Sequence, residues 1–422
     1  MSKTYPLYDV TKSNEMYARA VKVIPSGVYG HLGPAEGQFI PVNRWPKFSE
    51  KAQGTYFWDV DGNRYIDYMC AYGPNVLGYN DPDVDAAAIK QIGIGNCTTS
   101  PGKIMVECAE LLVDTVKSMD WAFFAKNGND ATMGAILTAR AHTHRKKLIF
   151  FNGFYHGTSP FVQKIDYPGV IPEDVENNLY VDWDDVEGFK KLCEENKGEI
   201  AALIAQPYDH GNFYDNKFPK EGFWQEIRKI CTDEGILIIV DDVRTGFRLD
   251  LAGSDHFFGF EADLMCFCKA LANGYNMSCF MGKEEYMSAA SSLSYTGSYW
   301  MSSVPFAACI ACINKLKALD APKLFKENGI KLTEGFKAAA KENGFDLVVS
   351  GAPALFYLRI ANDDDMMLHQ EWIAECVNRG LFLASHHNHF MNAAVTDEDI
   401  KESIEIAEDA FRAVKKNHPE IG

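Results

Sequence analysis

The feature that most constrains the fold is a regular alternation of short apolar runs with amphipathic segments between residues 104 and 267. The apolar runs have strand length and lie at Trp121–Ala125, Leu148–Phe151, Ile200–Gln206, Ile236–Val240 and Leu264–Phe267. Helical segments separate them at Ile104–Lys117, Ala131–His144, Asp184–Glu195 and Phe223–Glu234. Strands that are apolar throughout are buried on both faces, so the pattern predicts an α/β fold with a mostly parallel sheet between helices.

Both ends of the chain depart from this alternation. Gly54–Ala71 predicts a hairpin because Asp61-Gly62 separates two β-rich runs, and the Pro- and Gly-rich residues before it predict an extended arm. We therefore expect an arm and hairpin in residues 1–75, a large domain in residues 76–310, and a C-terminal part in residues 311–422. The first and third parts together predict one smaller α+β domain.

Charge and composition exclude several classes of function. The chain has 422 residues and a formal net charge of −17, which repels phosphate backbones and anionic lipid surfaces, so neither nucleic acid nor a membrane is an expected partner. No apolar stretch approaches the roughly 20 residues of a spanning helix, and the N-terminus lacks the apolar core of a signal peptide. Eleven cysteines without such a signal predict free thiols in a reducing cytoplasm.

Two groups of residues have spacings that metal sites also use. The cysteines Cys266/Cys268 and Cys309/Cys312 lie in apolar surroundings, which favour buried packing over a zinc or redox site. The histidines of His386-His-Asn-His389 precede the last predicted helix, where a solvated or pocket-edge loop is the favoured interpretation. We expect no metal site.

In a parallel sheet, ligands bind beyond the carboxyl ends of the strands, so residues that follow each strand are candidates for a site. Lys126-Asn-Gly-Asn-Asp130 opens a helix, and a helix N-terminus with a glycine can close on a phosphate. A capped helix without a ligand is the alternative. Tyr155 and His156 follow the next strand between two glycines and can stack on a planar ring, although such pairs also occur in ordinary turns.

Charged residues follow two further strands. Asp241 and Asp242 come directly after five apolar residues, where a carboxylate needs a cation or a strong hydrogen bond. Their side chains face opposite ways, so one can meet a ligand while the other meets protein, or both can bond to nearby arginines. Lys269 lies between small and apolar residues, where it is either a nucleophilic amine or a lysine that extends to solvent. Pyridoxal phosphate (PLP) needs this combination of a lysine, a carboxylate, a phosphate site and a ring contact.

In these residues the chain resembles the class III (fold type I) PLP-dependent aminotransferases, and within them the glutamate-1-semialdehyde aminomutase-like branch. The resemblance extends from Val23 onward and rests on ordered stretches: Trp58–Asp67, Gly73–Gly78, Asn127–Met133, Tyr155–Gly157, Asp241–Arg248 and Lys269–Gly274. It implies a fold type I large domain, PLP as the cofactor, and transfer of an amino group between an amino acid or amine and a keto acid or aldehyde.

The resemblance also implies roles for individual residues. Lys269 forms the internal aldimine and moves the proton, Asp241 pairs with the pyridinium nitrogen, and Val243 packs under the ring. Further cofactor contacts are implied for Tyr155 and His156 beside the ring and for Gly128 and Asn129 at the phosphate. Ser298, within Thr296–Trp300, lies in a segment that reaches the phosphate of a partner subunit, which implies a homodimer with shared active sites. Tyr72 occupies the position of an aromatic residue near the substrate.

Departures from the family pattern leave the substrate open. Asn129 stands where a hydroxyl residue is usual, Asp130 and Asp242 where glutamate is usual, Gln206 where glutamate is frequent, and Arg244 where a neutral residue is common. The candidate cations for a substrate carboxylate are Arg44, Arg244 and Arg359. Because the net charge is negative, attraction of an anionic ligand has to be local.

Other activities use the same residues. An intramolecular aminomutase shares the cofactor and returns the amino group to a neighbouring carbon. A PLP racemase or decarboxylase is a further alternative, and a non-catalytic protein on this fold is another, although the Lys269/Asp241 pair argues against it.

Overall fold

The computed structural model of the chain describes residues 3–28 and 44–420. The strands of these residues, in chain order, are β1 Ser49–Gln53, β2 Tyr56–Asp59, β3 Arg64–Asp67, β4 Trp121–Ala125, β5 Lys147–Phe151, β6 Asn178–Val181, β7 Ile200–Ala205, β8 Leu237–Asp241, β9 Leu264–Phe267, β10 Ser278–Gly282, β11 Leu347–Ala352, β12 Leu355–Ile360, β13 Leu381–Phe382 and β14 His389–Phe390. The α-helices are α1 Thr11–Ala20, α2 Pro82–Ile94, α3 Ile104–Thr115, α4 Gly128–Thr143, α5 Pro172–Val175, α6 Val186–Glu195, α7 Phe223–Glu234, α8 Ser254–Phe258, α9 Met287–Ser291, α10 Ser303–Ala318, α11 Ala321–Glu342, α12 Met367–Val377 and α13 Asp397–Asn417.

The chain divides into two compact units, the terminal unit and the central unit. The terminal unit combines the residues up to Asp81 with Asn212–Asn216 and the residues from Lys323 onward, and the central unit comprises Pro82–Gly211 and Lys217–Pro322. The boundaries that the sequence suggested lie at 75/76 and 310/311. The short segment Asn212–Asn216, which joins the terminal unit, has no counterpart in that division.

The central unit is built on a seven-stranded sheet in the order β4-β10-β9-β8-β7-β5-β6. The strands from β9 to β6 pair in parallel, and β10 is antiparallel to both of its neighbours. The predicted mostly parallel sheet is therefore confirmed. Helix α4 packs on this sheet through Ala131, Ala135 and Ala139, which are fully buried and recur every fourth residue on one face. These small side chains let the helix approach the sheet closely.

The terminal unit contains two smaller sheets. One has the order β1-β2-β3-β13, in which the predicted hairpin pairs β2 with β3 across Asp61-Gly62, and the other is the antiparallel set β11-β12-β14. The prediction of an extended arm is wrong at α1. Asp61 supplies the reason, because its carboxylate accepts hydrogen bonds from the backbone N–H groups of Lys12 and Ser13 at 2.7 and 2.8 Å and so caps the helix from a distant turn. Residues 29–43 of the arm lie outside the described residues.

None of the described helices is both long and apolar enough to cross a lipid bilayer. Across the described residues, which include all eleven cysteines, no disulfide forms, and no cluster of three or more His, Cys, Asp or Glu side chains is suited to hold a metal ion. Cys266, Cys309 and Cys312 are buried in the core, as packing residues are. For the histidine segment, the interpretation as a solvated loop is wrong, because His386, His387 and His389 are each at most 5% exposed.

Candidate active site

The carboxyl ends of β4, β5, β7, β8 and β9 lie at one edge of the central sheet, because these strands run in the same direction. The segments that follow them begin at Lys126, Asn152, Gln206, Asp242 and Cys268. The polar residues that the sequence placed after separate strands therefore share one edge. We call this the carboxyl edge.

Asp241 and His156 form the best-defined pair at the carboxyl edge. The Oδ2 atom of Asp241 lies 2.7 Å from Nδ1 of His156, and its Oδ1 atom accepts the backbone N–H of Val243 at 3.2 Å. Both side chains are buried. Because the carboxylate accepts, His156 Nδ1 carries a proton, while the buried Nε2 has no hydrogen-bond partner in the part of the chain that the structure describes. Asp241 is thus held in place, and one polar atom beside it remains for another group.

Asp242 has a different environment from its neighbour. Its carboxylate accepts from the hydroxyl of Thr245 and from both the backbone N–H and the hydroxyl of Ser254. Burial raises the pKa of this carboxyl to about 6, although the hydrogen bonds from Thr245 and Ser254 act to lower it. Asp242 therefore fixes the turn after β8, whereas the adjacent Asp241 is the carboxylate that pairs with His156.

Lys269 begins a short 3₁₀ turn directly after β9 and is half-buried. Desolvation lowers the pKa of its amine to about 7, and the positive charge of Arg244 acts in the same direction, while Asp241 opposes it. An amine with a pKa near 7 is largely available as a neutral nucleophile and base in the physiological pH range.

The N-terminus of α4 offers backbone N–H groups at the same edge. Asp130 closes the first turn, because its Oδ2 atom accepts from the N–H groups of Lys126 and Asn127 at 3.2 and 2.9 Å. The first N–H groups of a helix have no acceptor within it and can bind a phosphate. A Cβ atom at Gly128 would lie 3.0 Å from Cγ1 of Val243, so a larger residue would displace the side chain next to Asp241.

Asn129 has a role that the sequence did not indicate. Its Oδ1 atom accepts from the backbone N–H groups of Thr158 and Ser159 at 2.8 and 2.9 Å, and from the hydroxyl of Ser159 at 3.1 Å. A Cβ atom at Gly157, where φ is +114°, would lie 2.6 Å from that oxygen. The side chain of Asn129 therefore fastens the Tyr155–Ser159 loop to the start of α4. Only its amide N–H₂ and its backbone N–H remain as donors to a phosphate.

The residues predicted to contact the cofactor ring lie on separate segments. Tyr155 is 48% exposed, and burial of the rest of its side chain raises the pKa of the phenol. Val243 is half-buried and packs against the core of the central unit. Ser298 lies in an exposed turn, and its carbonyl oxygen is 3.6 Å from the thiol of Cys97.

Tyr72 belongs to the terminal unit. It ends a left-handed turn, with φ angles of +48°, +55° and +65° at Cys70, Ala71 and Tyr72, and its ring meets that of His387 edge-on at 5.2 Å. Burial raises the pKa of its phenol to about 12.

Two of the three candidate arginines are engaged by carboxylates in the terminal unit. Arg359 makes two hydrogen bonds to Asp215, at 3.1 and 2.8 Å, and Arg44 lies 3.4 Å from Glu375. Arg244 is in the central unit, 9% exposed, and its Nη1 atom donates to the carbonyl oxygen of His210 at 2.7 Å. Sequence reasoning missed His210, although it lies in the segment that follows β7, where the same search for polar residues after strands would have found it.

The residues at the carboxyl edge fit the chemical groups of PLP. Free helix N–H groups suit its phosphate, a buried carboxylate suits its ring nitrogen, and an amine of lowered pKa suits its aldehyde. His156 contacts the Asp241 carboxylate through Nδ1, and its Nε2 atom has no partner among the described residues. This Nε2 atom can offer the cofactor ring a polar neighbour. The arrangement can therefore hold the cofactor and move a proton next to it.

A model of the family described as class III aminotransferases matches residues 40–411. An aminopentol aminotransferase of Sphingopyxis macrogoltabida is 37% identical over 407 residues, which cover 96% of this chain and 95% of that protein. A 3-aminobutyryl-CoA aminotransferase of Cloacimonas acidaminovorans (strain Evry) is 29% identical and covers 96% of this chain and 98% of its own length.

A solved structure shows the same likeness in three dimensions. The FumI protein of Sphingopyxis sp. MTA144, in its PLP internal aldimine form, superposes with a TM-score of 0.93 at 36% identity over 98% of both chains. This agreement covers the central and the terminal parts of the sequence alike. The chain therefore belongs to the class III aminotransferases and is a PLP-dependent transaminase of fold type I.

Proposed function

We propose that Lys269, Asp241 and His156 carry the chemistry of transamination in this chain. The supporting observation is that a half-buried amine with a pKa of about 7 shares one sheet edge with a carboxylate fixed by a histidine. When bound, PLP supplies an aldehyde for the amino group and a ring that accepts electrons from the Cα–H bond of the substrate. Lys269 Nζ would take the proton from that carbon and deliver it to the carbon of the cofactor aldehyde, and Asp241 would hold a proton on the ring nitrogen.

The remaining residues bind and orient. His156 Nδ1–H fixes the Asp241 carboxylate, and the first N–H groups of α4, at Gly128 and Asn129, bind the phosphate. Val243 and Tyr155 enclose the two faces of the ring. In this proposal the phosphate of the cofactor is attracted by groups within the site, because local interactions at short distance outweigh the net negative charge of the chain.

For the substrates we propose an amine as donor and a keto acid or aldehyde as acceptor. The support comes from the substrates after which the relatives are named, an aminopentol and a 3-aminobutyryl thioester, whose amino groups are not on a carbon next to a free carboxylate. The finer resemblance to the glutamate-1-semialdehyde aminomutase-like branch finds no support among the relatives named above, which are aminotransferases. The aminomutase reaction is therefore kept only as the alternative to transamination.

A screen of donors and acceptors tests this proposal. The visible absorption band of the lysine-bound cofactor is expected to disappear when an amine alone is added and to return when a keto acid follows. Borohydride should fix the cofactor to the peptide that contains Lys269. A band that survives every amine, or isomerisation of one substrate without release of a carbonyl product, would contradict transamination.

We also propose that the protein acts as a homodimer through a surface on the central unit. Ile92, Ile94 and Tyr299 are 62%, 73% and 70% exposed, which is unusual for three large apolar side chains near one another. The segments are joined, because Ser303 donates its backbone N–H to the carbonyl of Asn96 at 2.8 Å. A second copy of the chain would cover this surface and bring Ser298 to the phosphate of its partner.

Light scattering on size-exclusion fractions tests the dimer. Ile94→Glu is expected to weaken association at least tenfold and to lower activity, because a carboxylate enters an apolar interface. Ile330→Glu, on an apolar residue of the terminal unit that is 43% exposed, is the matched control and should leave the mass unchanged. A monomeric wild-type protein with full activity would contradict the shared site.

Two coarser features complete the proposal. We propose that the protein works in a reducing compartment, the cytoplasm, because its cysteines, all in the described residues, form no disulfide. We also propose that residues 76–310 form the cofactor domain and that residues 1–75 and 311–422 complete a smaller one.

A further inference from the structure

The start of α4 holds the segment Tyr155–Ser159, which we call the ring segment, by contacts on both sides of Gly157. On one side, the hydroxyl of Thr132, a residue that is 1% exposed, donates to the carbonyl oxygen of His156 at 2.7 Å. On the other side, the Oδ1 atom of Asn129 accepts the backbone N–H groups of the last two residues of the segment, at 2.8 and 2.9 Å. The ring segment is therefore fastened to the helix that begins beside it.

Gly157 lets the ring segment approach Asn129 closely. Its φ angle is +114°, which side chains disfavour, and a Cβ atom there would lie 2.6 Å from Oδ1 of Asn129 and 3.0 Å from its Cα atom. Any side chain at this position would push the ring segment away from α4. Because backbone N–H groups can only donate, the oxygen of the Asn129 amide, and not its N–H₂ group, faces the segment. The contacts thus fix the orientation of the amide.

The position of Tyr155 depends on the main chain of the ring segment. Its side chain is 48% exposed, and its hydroxyl makes no hydrogen bond with any residue that the structure describes. The next residue, His156, lies 2.7 Å from the carboxylate of Asp241 through its Nδ1 atom. The main chain beyond Gly157 is held by Asn129. A shift at Asn129 is therefore passed through the main chain of the ring segment to Tyr155.

Asn129 has a second contact in the proposed function, because its backbone N–H is one of the first donors of α4 and binds the phosphate. One residue then meets the phosphate with its main chain and the ring segment with its side chain. Two contacts that order the same residue strengthen each other, since the second one meets a residue that is already ordered. Phosphate binding and the order of the ring segment are therefore linked through Asn129.

We propose that Asn129 is a positioning residue that couples phosphate binding to the placement of Tyr155 against the cofactor ring. The inference rests on the proposed function and deepens it, because it gives the phosphate a part in ordering the ring contacts as well as in affinity. The hydroxyl residue that is usual at this position is shorter, since its oxygen is one bond nearer to the main chain. The longer side chain of Asn129 spans the distance to both N–H groups of the ring segment.

Hydrogen exchange at the backbone amides of Thr158 and Ser159 measures this coupling without turnover. The full chain would be compared without cofactor, with saturating PLP, and with saturating pyridoxal, which has the same ring and aldehyde but no phosphate. In the wild type, PLP is expected to slow the exchange of these amides at least tenfold and pyridoxal less than threefold. Equal slowing by the two compounds would assign the ordering to the ring and overturn the proposal, and so would no slowing by PLP.

Two variants separate the side-chain contact of Asn129 from its main-chain contact. Asn129→Ser keeps the backbone N–H and supplies a hydroxyl to the phosphate but loses the contact with the ring segment. PLP should then slow the exchange no more than pyridoxal does, and kcat should fall about tenfold because Tyr155 is less well placed. Asn129→Asp keeps the accepting oxygen and should retain the slowing at saturating PLP, although its charge near the phosphate should weaken PLP binding at least tenfold. Loss of the slowing in both variants would overturn the proposal.

A variant of the segment itself and a matched control complete the test. Gly157→Ala leaves Asn129 unchanged but places a Cβ atom against its Oδ1 atom, so it should also abolish the slowing by PLP. Asn152→Ser is the control, because Asn152 lies at the same edge and bonds to Asp182 instead, and it should respond to PLP as the wild type does.

The outcomes distinguish this inference from the proposed function. A wild type that binds PLP and transaminates, but whose Asn129→Ser variant shows the full slowing by PLP, would overturn the coupling and leave the proposed function in place. A wild type that shows neither the visible band of the bound cofactor nor any transamination would refute the proposed function itself.

Discussion

The two edges of the central sheet both carry buried and half-buried charged groups, but these groups differ in the partners that they have. At the amino edge, where β8 and β9 begin, two cations are paired with carboxylates. Arg228 Nη1 lies 2.6 Å from the carboxylate of Asp263, and Lys283 Nζ lies 2.9 Å from that of Glu261. Arg145 Nη1 donates to three backbone carbonyl oxygens. These groups satisfy one another and hold the ends of the elements in place.

At the carboxyl edge the polar groups are fixed but not all satisfied. His156 and His210 each use Nδ1 for a protein contact, and each leaves a buried Nε2 without a partner among the described residues. Asp241 pairs with the ring of His156. Leaving such groups without partners costs free energy, so their persistence indicates a ligand.

Open volume alone would have pointed to the amino edge. A cavity of about 660 Å³ lies at the amino edge, lined by residues that include Arg145, Arg228 and Lys283. Arg228 and Lys283 are paired with carboxylates there, and Arg145 donates to carbonyl oxygens. In the proposed function, the chemistry lies among the oriented polar atoms of the carboxyl edge rather than at this cavity.

The largest difference between the edges is expected for their lysines. Lys269→Ala should lower the transamination rate about 10⁴-fold, because it removes both the amine that binds the cofactor and a positioned proton-transferring group. Lys283→Ala, at the amino edge, breaks only a largely exposed ion pair, worth about 0–1 kcal/mol, and should leave the rate unchanged. Steady-state rates and borohydride labelling check both variants. A Lys269→Ala protein that works at the native rate would refute the assigned role.

The adjacent carboxylates provide a second contrast within the carboxyl edge. Asp241→Asn should lower the rate about 10²–10³-fold with little change in stability, because it removes the charge that holds the proton on the ring nitrogen. Asp242→Asn should leave activity less affected and lower the free energy of unfolding by about 1–3 kcal/mol, because its amide N–H₂ would face the donors of Thr245 and Ser254. Rates and thermal unfolding of the two variants check this. The reverse pattern would exchange their roles.

Much of the architecture could be predicted from the sequence, because apolar strands and amphipathic helices have periods that show directly. The five predicted strands between Trp121 and Phe267 are examples, as are the positions of Asp241 and Lys269 at the ends of two of them, whereas β6 at Asn178–Val181 was not predicted. Helix α1 could not be predicted in this way. Its first N–H groups are capped by Asp61 from a turn 48 or 49 residues further along the chain, and such a contact leaves no local pattern.

The site was predictable in its residue types and less so in their partners. Asn129 was assigned to the phosphate, yet its Oδ1 atom fastens the loop that begins at Tyr155. His210 was missed because its meaning comes from Arg244, which is 34 residues away in sequence. Side-chain partners depend on which loops the sheet brings together. The order of the strands, with β10 between β4 and β9, cannot be predicted from any single segment of the sequence.

The protonation of Lys269 gives a smaller, pH-dependent test. Its pKa of about 7 lies below the ordinary lysine value of 10.5, so in the apoprotein its reaction with an amine reagent should rise with pH and level off above about pH 7. Arg244→Gln removes a positive charge that disfavours the ammonium form, so the midpoint should move to higher pH. Mass spectrometry of the labelled Lys269 peptide measures it. A wild-type midpoint near 10 would contradict the electrostatic description of the site.

The smallest effect is expected at Arg145 of the amino edge. Its Nη1 atom donates to the carbonyl oxygens of Ile200, Glu234 and Gly235 at 3.1, 2.9 and 2.9 Å, and the last two close the C-terminus of α7. Arg145→Met should lower the free energy of unfolding by about 1–2 kcal/mol, because these carbonyls lose a donor and the helix end loses a positive charge. Arg145→Lys keeps the charge and should recover part of this loss.

Activity per folded molecule should not change in either Arg145 variant, because the amino edge is separated from the carboxyl edge by the length of the strands. Denaturant unfolding and rates measured on the same samples make the test. A rate that falls while stability is retained would mean that the paired charges of the amino edge act on the reaction, and the contrast between satisfied and unsatisfied edges would fail. A fall in stability alone would assign the amino edge to folding and leave the chemistry to the groups around Lys269.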